Sequence, residues 1–123
     1  MWILVVGGRS TLDRPDGATS TLTDLGCRVV SADLWDNLED QRFAADPPSV
    51  ILVEALDQAE AGRAALIRLR AVPQLVEVPA LMAVTVGAVQ RLDPNDGFDD
   101  FVLVPYVPVE LYARIRRAEW ARS

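Results

Sequence analysis

The chain has no histidine and a single cysteine. Without an imidazole, Ser-His-Asp triads, histidine-based acid–base catalysis and the usual zinc sites are excluded. With Cys27 alone no internal disulfide forms, and its place after Gly26 at the entrance to an apolar run predicts a buried core thiol. A basic excess is also lacking: 12 basic residues stand against 18 acidic ones, for a net charge of -6. No stripe of positive charge is left to hold a nucleic-acid backbone, so DNA contact is expected only through an output domain absent from this chain. Long hydrophobic runs are missing as well. Trp2–Val6 and Val50–Val53 fall far short of the roughly 18 residues of a membrane span or the h-region of a signal peptide. A soluble, cytoplasmic protein without a membrane partner is expected.

What is present is a short chain with a real core. At 123 residues and 50% hydrophobic, one domain covering residues 1–123 is predicted. Five apolar runs, Trp2–Val6, Arg28–Ala32, Val50–Val53, Ala80–Val84 and Phe101–Val104, are rich in Val, Ile or Leu and short enough for buried strands. Helical spacing fills the gaps. Ala18, Leu22 and Leu25 share a face and stop at Gly26, and Leu34 and Leu38 lead a second helix ending before Asp46-Pro47-Pro48. Gly62, Leu66 and Leu69 mark a third helix ending before Pro73. A last helix opens at Pro108 with Leu111, Ile115 and Ala118 on its inner face. Residues 9 to 17 read as a polar loop.

Strands alternating with helices, the strands apolar throughout, predict an α/β fold: one doubly wound, five-stranded parallel sheet with helices on both faces. In such a sheet chemistry gathers at the carboxyl ends of the strands. Gly7, Gly8, Glu54, Thr85 and Val104 are the residues expected there. Gly7-Gly8-Arg9-Ser10-Thr11-Leu12 lacks both the dinucleotide fingerprint and the Walker pattern.

The order of these features resembles the CheY-like receiver domains of two-component response regulators, over nearly the whole chain. Ile3-Leu4-Val5-Val6-Gly7-Gly8 stands where that family has an apolar strand followed by two acids. Val50-Ile51-Leu52-Val53-Glu54 stands where its strand ends in the phosphoacceptor aspartate, and Gly62 follows at the family's spacing. Thr85 matches the family's switch Thr or Ser. Gly97-Phe98-Asp99-Asp100-Phe101-Val102-Leu103-Val104-Pro105-Tyr106 is similar to Gly-Ala-Asp-Asp-Tyr-Leu-x-Lys-Pro-Phe, with Val104 in the lysine's place. Glu110 to Arg116 resembles the ending of receivers from the winged-helix (OmpR/PhoB-like) transcriptional regulators. The resemblance implies a flavodoxin-like strand order of 2-1-3-4-5 and, from the short span between Thr85 and Gly97, a shortened fourth helix.

The departures from that pattern carry the functional expectation. Family chemistry places a phosphoryl group on aspartate with Mg²⁺ held by carboxylates and a lysine offsetting charge. Gly7 and Gly8 supply no carboxylate, and Val104 offers neither charge nor hydrogen bond. Glu54 is longer than aspartate by one C–C bond, and a misplacement on the order of 1 Å costs about 100-fold in rate. An atypical pseudo-receiver is expected, with no catalytic residue, metal or cofactor, that signals by contact with a protein or by homodimerisation. Asp13 and Asp16, in the long first loop, either fold over the pocket as substitute ligands or stay solvated, with Asp16-Gly17 making a turn.

Other readings stay open. Glu54 imitates a phosphorylated aspartate, or pairs with Arg9 or Arg14, or is a solvated acid without a switching role. The pocket, with less charge and more room, senses a small ligand, or the fold carries an enzyme. For output, the resemblance implies a surface of the fourth helix, fifth strand and fifth helix, with Phe101 as the aromatic that turns with Thr85. It also places Asp99, Asp100 and Arg114 at salt-bridge positions of a two-fold dimer. Trp120 is expected to pack on a neighbour or to fray.

Overall fold

A computed structural model describes residues 2–33 and 46–122 of the chain. The helix expected from Leu34 and Leu38 lies outside the described residues. Five strands are present: β1 (Trp2–Gly7), β2 (Arg28–Asp33), β3 (Val50–Leu56), β4 (Ala80–Val84) and β5 (Asp100–Leu103). They form one parallel sheet in the order β2-β1-β3-β4-β5. The four described α-helices are α1 (Arg9–Leu12), α2 (Ala18–Asp24), α3 (Ala59–Arg70) and α4 (Pro108–Arg122). This is the doubly wound five-stranded architecture that the alternation of apolar runs predicts, in the flavodoxin-like strand order that the resemblance implies.

Alternate strand residues face opposite sides of a sheet, and the core divides accordingly. Leu4, Val6, Ile51, Val53 and Met82 pack with Leu66 and Leu69 of α3. Ile3, Val5, Leu52, Leu81 and Val102 pack with Leu22 of α2 and with Leu111 and Ile115 of α4. Strands apolar on both faces therefore fix the sheet as the middle of three layers. Gly62 shows how closely α3 lies on it: a Cβ there would stand 2.6 Å from Ala55 Cβ and 2.8 Å from Met82 Sδ.

Two local expectations change. Leu25 is 42% exposed, because α2 stops at Asp24 and Leu25 begins the turn into β2. The shortened fourth helix is present in 3₁₀ rather than α form, as two segments, Val86–Arg91 and Pro94–Asp96. Gly87 disfavours a regular helix and Pro94 lacks an N–H to continue one, while Asp93 caps the second segment through Asn95 N–H at 2.8 Å. Among the described residues no helix is long and apolar enough to cross a membrane.

Candidate functional site

Glu54 lies inside β3 rather than at a solvated strand end, and only 4% of it is exposed. Just beyond it the pairing of β3 with β4 shifts register. Leu56 there has a φ of 57°, a left-handed conformation that costs a non-glycine residue about 1–2 kcal/mol. The carboxyl ends of β3, β4 and β5 and the loop leading to α2 surround a cavity of about 310 Å³. Glu54, Thr85, Val104 and Tyr106 line it, with Arg14 and Asp16 from that loop.

The Glu54 carboxylate is held by neutral donors. Tyr106 Oη donates to Oε2 at 2.7 Å, and the Ala18 backbone N–H, at the start of α2, donates to the same oxygen at 3.0 Å. Oε1 is buried and has no hydrogen-bond partner. Burial, and then the Glu54 charge and hydrogen bond, push the Tyr106 hydroxyl well above its ordinary titration range, so it stays a donor. Neither arginine named as a partner reaches Glu54. Arg9 Nε pairs with Asp33 at 3.7 Å and Arg14 Nε with Asp16 at 3.2 Å, each satisfied nearer its own loop. All 12 basic residues of the chain are arginine, so no lysine elsewhere replaces the one missing at Val104. Tyr106 is the residue that the sequence pattern missed, and its signal was a hydroxyl where the pattern has Phe.

Gly7 and Gly8 differ from each other. A Cβ on Gly7 would meet Thr11 Oγ1 at 3.1 Å, Glu54 Cβ at 3.2 Å and Leu12 Cδ2 at 3.3 Å. The space that a side chain would need is filled by α1, the short helix that forms where a polar loop was expected. The pocket is therefore less charged than one lined by two acids, yet no larger at this position. Gly8 has only Thr11 Oγ1 at 4.0 Å. Asp13 is exposed and away from the cavity, whereas Asp16 is on its lining. Among the described residues no group of three or more His, Cys, Asp or Glu side chains is arranged to hold a metal.

No family model matches the sequence, and no curated protein matches it. Solved structures do. The receiver domain of a sensor histidine kinase from Pseudomonas aeruginosa, with a magnesium ion in its active-site cleft, is 20% identical with a TM-score of 0.72, each chain being covered over 96%. A chemotaxis response regulator of Vibrio cholerae is 21% identical with a TM-score of 0.69, over 96% of this chain and 98% of that one. The receiver domain of NtrX from Brucella abortus gives 22% and 0.69 over the same shares. The chain has the CheY-like receiver fold.

On this receiver fold the remaining named residues separate. Thr85 and Val104 are at the Glu54 cavity. Phe101 instead packs edge-on to Phe98, with ring centroids 6.4 Å apart, and borders a second hollow with Val89 and Leu92. Asp99 accepts from Ala80 N–H at 2.8 Å. Asp100 meets Arg114 Nη1 at 3.2 Å within the chain, and the same nitrogen donates to Phe101 O at 3.0 Å. Cys27 is half-buried rather than buried, with its thiol raised by burial against the opposing pull of Arg116. Trp120 is 63% exposed, with the Arg116 guanidinium 5.4 Å from its ring centroid.

Proposed function

We propose that the chain is a receiver-fold signalling module that takes no phosphoryl group by the Mg²⁺-dependent route and acts through contact with a protein partner or a second copy of itself. The observation that carries this reading is the state of Glu54. An acceptor carboxylate must present an oxygen to the phosphorus and share a hard cation with other oxygen ligands. Here the hydrogen-bonded oxygen is engaged by Tyr106 and Ala18, and the other is closed to solvent. The donor set does not fit Mg²⁺: Gly7 and Gly8 bring no carboxylate, a side chain at Gly7 would crowd Thr11, Leu12 and Glu54, no lysine stands at Val104, and Arg14 on the lining is paired with Asp16.

Glu54, Gly7, Gly8 and Val104 thus mark a degenerate acceptor site, and Thr85 and Phe101 stand at its switch positions without a modification to read. Without a phosphoryl group to read, the Glu54–Tyr106 link holds the resting conformation, and output depends on what binds the module. The fold neighbours include NtrX from Brucella abortus, of which this chain covers 28%, so the same fold also stands within longer chains. Any DNA contact is assigned to an output domain, as the acidic charge of this module requires.

Labelling by a small phosphodonor tests the reading. With and without Mg²⁺ the purified protein is expected to take up no stoichiometric phosphoryl group, and beryllofluoride is expected to leave its mass by light scattering unchanged. Mg²⁺-dependent labelling that disappears in Glu54→Gln would overturn it.

A further inference from the structure

We propose that the cavity over Glu54 is a receptor site for a small organic cation, a primary ammonium on a compact apolar body. The inference rests on the reading above only in that Glu54 is free of phosphoryl chemistry. Three side chains on the lining are charged: Arg14, Asp16 and Glu54. Arg14 and Asp16 pair with each other at 3.2 Å near solvent, their side chains 56% and 69% exposed. Glu54 is left as a buried carboxylate that no arginine of the described residues pairs with, held only by a phenol and a peptide N–H. A buried carboxylate in such a place gains from an opposite charge that arrives with hydrogen-bond donors for its open lone pairs.

The carboxylate also has unused acceptor capacity. It offers about four lone-pair sites, and both of its hydrogen bonds fall on Oε2, while Oε1 takes none. An ammonium brings three N–H donors and a full charge, which matches that deficit better than a hydroxyl does. The rest of the lining selects the body of the ligand. Leu56, Val104 and Pro105 contribute apolar surface beside Thr11 and Thr85, and a volume of about 310 Å³ is that of a small-molecule pocket with few polar anchors. Because Oε1 is closed to solvent, the ammonium reaches the carboxylate at Oε2 as the Tyr106 hydroxyl gives way. Entry of the cation therefore displaces the Tyr106 hydroxyl from Glu54.

Competition with Tyr106 makes the proposal testable with variants of opposite effect. ¹⁵N-detected NMR titration of the whole chain with 2-phenylethylammonium, 2-phenylethanol and phenylacetate compares a cation, a neutral isostere and an anion. Saturable shifts are expected at Gly17, Glu54, Thr85 and Tyr106 for the ammonium. The alcohol should bind about tenfold or more weakly and the anion not at all, because a charged hydrogen bond is lost. Glu54→Gln should abolish the preference for the cation, whereas Tyr106→Phe should tighten ammonium binding by about tenfold and leave the alcohol unchanged. Equal binding of ammonium and alcohol, shifts centred elsewhere, or weaker ammonium binding in Tyr106→Phe would each overturn the site. If Glu54→Gln fails to fold, the Tyr106→Phe result decides alone. Loss of ammonium binding leaves the phosphodonor result untouched, and Mg²⁺-dependent labelling removes the proposed function first, so the two failures are distinguishable.

Discussion

Glu54 and Asp96 are the two charged side chains buried among the described residues, at 4% and 7% exposure, and different chemistry holds each of them. Asp96 Oδ1 takes the Arg63 Nε–H at 2.6 Å, and its Oδ2 takes the Asp93 backbone N–H at 3.0 Å. Both oxygens are satisfied and the charge is neutralised. Glu54 has a phenol and a peptide N–H on one oxygen, nothing on the other, and no guanidinium. Asp96 thus works as a staple that fixes the second 3₁₀ segment onto α3. Glu54 is kept in place without being neutralised, which is the condition of a group that can still answer to something outside the chain.

Removing Arg63 gives the largest expected effect. Truncating one partner of a buried ion pair costs about 3–5 kcal/mol because it strands the other charge. With the Arg63 side chain 41% exposed, water recovers part of this, and Arg63→Ala is expected to lose about 3 kcal/mol in urea unfolding at unchanged m. A loss under about 1 kcal/mol would mean that the Asp93 N–H suffices for Asp96, and the contrast with Glu54 would collapse.

Tyr106→Phe addresses the other acid. It removes one of two donors to a buried carboxylate, so a loss of about 1.5–2 kcal/mol is expected at neutral pH, smaller than for Arg63→Ala because no charge pair is broken. The pH dependence isolates the hydroxyl. Its proton is held more tightly in the folded chain than at the ordinary tyrosine value of 10.0. Below that value the contribution to stability is complete. As pH rises above it the unfolded chain releases the proton and the folded chain does not, so stability falls. Parent minus Tyr106→Phe stability should therefore be flat below about pH 9 and decline toward pH 11. A difference that stays constant across that range would show that the phenol is not held buried against Glu54 in solution.

How the sequence anticipates these arrangements depends on the range of the interactions. Ala80–Val84 reads as a buried strand because five consecutive apolar residues face helices on both sides, and the strand has those bounds. Leu111, Ile115 and Ala118 are buried as their spacing requires. β3 runs on to Leu56, past the expected end at Val53, because an acid that looks like a strand terminator finds partners inside. Those partners are 36 and 52 residues away, beyond the reach of any local periodicity. The same holds at Gly7, where the residue type announces a missing carboxylate but only the packing of Thr11 and Leu12 closes the vacant space. The fold was legible because it repeats a local rule. The partner of Tyr106 was not, because its hydroxyl marks a departure from the family's Phe without showing which group 52 residues away it meets.

Asp100 supplies the reference for both buried acids. It also meets a guanidinium, Arg114 Nη1 at 3.2 Å and 3.3 Å, but in a pair whose side chains are 26% and 36% exposed. If burial rather than pairing gives Asp96 its weight, this contact should be worth little, since solvent screens both charges and either is rehydrated when the other is removed. Asp100→Asn keeps an oxygen to accept from Phe101 N–H, a contact of 2.8 Å, and so removes the charge with little other disturbance. A loss of about 0.5 kcal/mol or less is expected, shrinking further in 1 M salt. A loss near that of Arg63→Ala would shift the explanation from desolvation to the guanidinium contact itself. Asp96 would then differ from Asp100 only in position, and Glu54 would stand apart simply because no arginine of the described residues reaches it.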